Sequence, residues 1–94
     1  MTGCQTAPTQ SQRIGEMVMA IDQALAHPEA PHALETIARY GTDSRHYVMI
    51  RGWLVQELRA AESQMAAASD PVLQHRFSAR VQFLRQAIRR IDLE

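Results

Sequence analysis

Ninety-four residues suffice for one domain with a thin core, since a chain of this size buries only about 60–65% of its unfolded surface. Hydrophobic residues make up 46%, charged residues 21% and aromatics 5%, a globular, helix-favouring mixture that excludes a disordered or strand-rich chain. Ten basic residues, all arginine, balance ten acids, and one cysteine rules out an internal disulfide.

The charge is unevenly placed. Residues 1–43 carry two arginines against five acids, a net of −3, and residues 44–94 carry eight against five, a net of +3. The pattern predicts attraction between the halves inside one fold. No apolar run approaches the roughly 20 residues that a membrane-spanning helix needs.

Residues 1–9 are small and polar and are expected to form a flexible tail, leaving residues 10–94 as a single helical domain. The first helix is expected over 10–26. Thr9 and Gln12 stand in the positions of a capping box, Ile14, Met17, Val18, Ile21 and Leu25 share one face, and His27-Pro28 ends it. A short second helix is expected over 31–40, with Pro31 in its first turn and Gly41 as a left-handed C-cap. Thr42, Asp43 and Ser44 offer three N-caps for a long third helix over 44–68. Its stripe is Tyr47, Ile50, Leu54, Leu58, Ala61, Met65 and Ala68.

Asp70-Pro71 punctuates the chain as N-cap and first helical residue of a fourth helix over 71–92. That helix is striped by Leu73, Phe77, Val81, Leu84, Ile88 and Ile91. Two matched helices joined by so short a turn must form an antiparallel hairpin. The predicted fold is therefore an all-α four-helix bundle, with two short N-terminal helices packed on a long αα-hairpin.

Catalysis requires a nucleophile or metal, a base within reach and stabilised charge. His27, His32, His46 and His75 are scattered, no pair has the i, i+4 spacing of a helical metal site, and no acid or cysteine is expected beside them at ligand distance along a helix. Glu57 and Glu62 point away from one another. The expectation is a non-enzyme with no cofactor and no metal.

Arg76, Arg80, Arg85, Arg89 and Arg90 crowd the fourth helix, but at 100° per residue the first four flank its apolar stripe from both sides. Flanking arginines suit the rim of a bundle, where they cover core edges and pair with acids such as Glu57 and Glu62. A single basic face, as phosphate-backbone binding requires, is not formed. Nucleic-acid binding through these arginines ranks third among the functional readings.

Beyond its main stripe the third helix carries a second apolar line, Met49, Trp53, Ala60 and Ala67, with Gly52 beside Trp53 in the helix interior. Glycine there costs about 1 kcal/mol relative to alanine and often admits a close backbone approach. Either the first two helices cover this line, or it stays open as a docking surface with Trp53 as anchor. The leading functional expectation is a helical adaptor or inhibitor that binds a partner protein through Met49, Gly52 and Trp53, with homo-oligomerisation left open. Arg85 and Arg89 are the further candidates, and the chain as written is expected in the cytoplasm.

Thr2-Gly3-Cys4 resembles the end of the processing box of bacterial lipoproteins, in which a small residue and glycine precede the cysteine that is lipidated. The following QTAPTQSQ resembles the tether of such proteins. This resemblance implies an alternative: a lipid-anchored envelope protein, modified at Cys4 after loss of an upstream signal segment, with a helical scaffold domain of pilotin type.

Overall fold

The computed structural model describes residues 9–93. Four helices follow in order: α1 Gln10–Ala26, α2 Ala33–Gly41, α3 Tyr47–Ala67 and α4 Pro71–Leu93. Among the described residues there is no strand, and no helix is long and apolar enough to cross a membrane.

The start of α1 is fixed by a reciprocal cap. The Gln12 backbone N–H donates to the Thr9 hydroxyl at 3.1 Å, and the Gln12 side-chain carbonyl accepts from the Thr9 backbone at 2.7 Å. At the turn between α3 and α4, Asp70 accepts from the Val72 N–H at 2.9 Å and Pro71 opens α4. Gln74 closes this turn by donating to the Ala68 carbonyl at 2.7 Å.

The segment between α2 and α3 departs from expectation. Pro31 lies before α2, which begins at Ala33. Gly41 is no left-handed cap: no described glycine has positive φ, and Gly41 is the last residue of α2, buried against Ile91 of α4. Nor does Thr42, Asp43 or Ser44 cap α3, which begins three residues later than predicted, with His46 before it and no side-chain cap. Asp43 turns its carboxylate to Arg45 instead, accepting from the backbone N–H at 2.9 Å and the guanidinium at 2.8 and 3.2 Å. Thr42 donates its hydroxyl to the Ala38 carbonyl at 2.8 Å, the same acceptor that takes its backbone N–H at 3.0 Å.

Helices α3 and α4 pack along each other as the hairpin, α2 packs on both, and α1 lies on α2. The core joins Met17, Ile21 and Leu25 of α1 and Ile37 of α2 to Ile50 and Leu54 of α3 and Leu84 and Ile91 of α4. Cover is uneven along the hairpin. From Glu62 through the turn to Arg80 no residue is buried, so the distal end of the hairpin projects as a two-helix arm. Its seam residues Met65 and Phe77 are half-buried, and Leu73 is 38% exposed. Two helices alone cannot close the open sides of their own seam; a third layer must do so.

Candidate functional site

Arg80 stands where α1 stops and the arm begins. It donates to the Leu25 carbonyl at 2.7 Å, answering an orphan acceptor in the last turn of α1, and to Glu57 of α3 at 2.9 Å. On the other flank Arg85 binds Glu62 at 2.8 Å. These two arginines occupy the bundle-rim positions that their helical angles predict. Together with Arg51–Asp92, their ion pairs join α3 to α4 within the basic half of the chain, whereas its charge asymmetry predicts pairing between the halves.

At the opposite end of the hairpin, Asp92 accepts from the Tyr47 hydroxyl and from Arg51 at 2.9 and 3.0 Å. Tyr47 and Arg51 are one turn apart on α3, so one carboxylate on α4 collects both. The Arg51 guanidinium, then the Tyr47 hydroxyl, hold the Asp92 carboxyl below the usual aspartate range, and the same carboxylate raises the Tyr47 phenol. Because folding makes Asp92 more acidic, its contribution is complete above the ordinary aspartate range and fades as pH falls through the depressed value. Asp92→Asn should therefore destabilise the chain at about pH 7 and progressively less towards about pH 2. Urea unfolding across that range checks this; an equal loss at both ends would show that the carboxylate's charge contributes nothing.

A cleft of about 710 Å³ opens between the first turns of α1 and the α2–α3 turn. Ile14 and Arg13 form one wall; Tyr40, Asp43, His46 and Met49 form the other. Ile14 is 37% and Met49 46% exposed, so two large apolar side chains face one concavity without being covered. The Arg45 hydrogen bonds hold the Asp43 carboxyl far below the usual range. The Nδ1 of His46 is buried without a hydrogen bond, 3.9 Å from Asp43, too far to make one.

Three histidines stand near an acid, in turns or at the start of a helix and not along one: His27 by Glu29 at 3.3 Å, His32 by Glu35 at 3.5 Å and His46 by Asp43 at 3.9 Å. Each is a separate local pair. Among the described residues no three such groups gather as metal ligands.

The other predicted site residues fall as follows. One turn beyond Met49, Trp53 is half-buried and packs against the core. Gly52 is exposed, and a Cβ there would meet nothing within 4 Å; the same holds for Gly15 on α1. Ala60 and Ala67, further along the line, are exposed. Arg89 is exposed beside Gln86 and lies outside the cleft. Cys4 lies outside the described residues. The Arg80–Glu57 and Arg85–Glu62 pairs are those expected of arginines flanking the apolar stripe, whereas the Arg80 bond to Leu25 and the Asp92 cluster were missed; the i, i+4 spacing of Tyr47 and Arg51 was the only local signal of the latter.

No protein-family model matches this chain, and neither a curated protein nor a solved structure matches it.

Proposed function

We propose that this chain is a non-enzymatic helical module that binds a partner protein through the Met49–Gly52–Trp53 face of α3 and the cleft that Met49 shares with Ile14. The carrying observation is the open space at Gly52. A glycine inside a helix sacrifices about 1 kcal/mol of helix stability, and among the described residues no neighbour requires it there. Access for an external backbone accounts for it. Trp53 beside it packs on the core while staying partly exposed, which suits a preorganised hot spot. The polar groups of the cleft support binding over catalysis. Arg45 takes the Asp43 carboxylate, so His46 has no hydrogen-bonded acid to orient it as a base.

The test uses affinity capture with the full chain, followed by titration of whichever partner is identified. Met49→Lys should weaken that partner tenfold or more while leaving folding intact, because the side chain is exposed. Gly52→Ala should do two opposite things: raise unfolding stability by about 0.5–1 kcal/mol and weaken the partner. Equal affinity for both variants and the parent would place the interface elsewhere, with Arg85 and Arg89 the next face to test. For the lipid-anchored envelope alternative, the Thr2-Gly3-Cys4 sequence is the support, and labelling cells with a fatty-acid analogue, with Cys4→Ser as control, tests it.

A further inference from the structure

A second concavity, of about 510 Å³, opens where α1 ends and α4 continues along the bare arm. Its walls are Pro28 from the α1–α2 turn and Arg76, Phe77, Ala79, Arg80 and Phe83 from α4. Both phenylalanines of the chain line this one groove, each half-buried, together with the small, exposed Ala79. The two arginines differ. Arg80 is committed to Leu25 and Glu57, whereas Arg76 is exposed and makes no ion pair with any described residue. Glu29 lines the opposite, α1 side, 3.3 Å from the His27 imidazole, so the two sides of the groove carry opposite charge. The uncommitted charge on the α4 side is therefore cationic, in a groove that the two phenylalanines also line.

We propose that this groove is a second docking site, whose occupant is an amphipathic helix of a partner protein that bears a carboxylate opposite Arg76. Its apolar side chains rest on Phe77 and Phe83, and it continues the line of α1 along the arm. The shape and the charge select together. A helix in a groove is held by anchors at three- and four-residue steps, and a desolvated carboxylate on Arg76 fixes its register. The occupant supplies the third layer that the distal hairpin lacks, so binding extends the bundle without rearranging it.

The probe is a random 16-residue peptide library displayed against the full chain. The enriched peptides should carry apolar residues at helical spacing flanked by Asp or Glu. Their dissociation constants should rise tenfold or more with Arg76→Glu, which reverses the charge on the α4 side, and with Ala79→Gln, which adds bulk to the lining. Both positions are exposed, so both variants keep the fold. Met49→Lys should leave these peptides unaffected, separating this groove from the α3 surface. The proposal is overturned if no peptide is enriched, if basic peptides dominate, or if affinity ignores either groove variant. A concentration-dependent dimer that Arg76→Glu dissolves would overturn it too, since the occupant would then be a second copy of the chain.

Discussion

Leu54→Ala and Leu84→Ala are each expected to destabilise the chain by about 2–5 kcal/mol, the range for a leucine truncated in a core that cannot fully collapse. Both side chains are fully buried, on facing helices of the covered half of the hairpin, inside one cluster with α1 and α2. A domain of this length has a total stability of roughly 5–15 kcal/mol, so either change removes a large share of it. The effect should fade along the same stripes. Leu58 is half-buried and Leu73 lies on the bare arm, so Leu58→Ala should cost less than Leu54→Ala, and Leu73→Ala less again. Thermal unfolding resolves the series, because 1 kcal/mol shifts the midpoint of a domain this small by about 4–8 °C. Gln64→Ala, at an exposed position on the arm, is the control. If Leu54→Ala shifts the midpoint no more than that control, the core assignment is wrong.

What could be read from the sequence divides along physical lines. The start of α1 and both sides of the Asp70-Pro71 turn were legible because each rests on a local hydrogen bond or a fixed φ, encoded within a few residues. The turn at 41–46 was misread because Gly41, Thr42, Asp43 and Ser44 all suit helix ends, and local preference does not choose among equals. The choice was made at longer range, by Ile91 against Gly41 and by Arg45 drawing off Asp43. The apolar stripes were legible for the full length of α3 and α4, but a stripe reports which face is apolar and not what covers it. Hence the sequence could not show that cover ends near Arg80, nor that Trp53 would be half-buried. The Phe77–Phe83 groove was illegible for a related reason: it needs the end of α1 beside α4, fifty residues away in the chain, and Arg80 holding them together.

Gly41→Ala should be the most damaging addition of a single methyl group in the chain, at about 1–3 kcal/mol. Its Cβ would stand 2.6 Å from Cγ2 of Ile91 and 3.4 Å from its Cβ. Cγ2 is bonded directly to the Ile91 Cβ, so it cannot swing aside as the end of a long side chain could. A β-branched residue within a helix has one strongly preferred χ1, and Ile91 is buried and belongs to the same core. The contact is relieved only by parting α2 from α4 or by twisting Ile91 off its rotamer. The helix preference for alanine, worth at most about 1 kcal/mol and less at a terminal residue, offsets part of this strain. At Gly52 the same substitution meets empty space and is expected to stabilise, so the sign of Gly→Ala should reverse between the two sites. Ile91→Leu moves the branch one carbon outward and should rescue Gly41→Ala. In a double-mutant cycle followed by urea unfolding, the pair should be less destabilised than the sum of the single variants. Strict additivity would place the strain somewhere other than this contact, and a neutral Gly41→Ala would mean that α2 and α4 do not approach as closely as their backbones indicate.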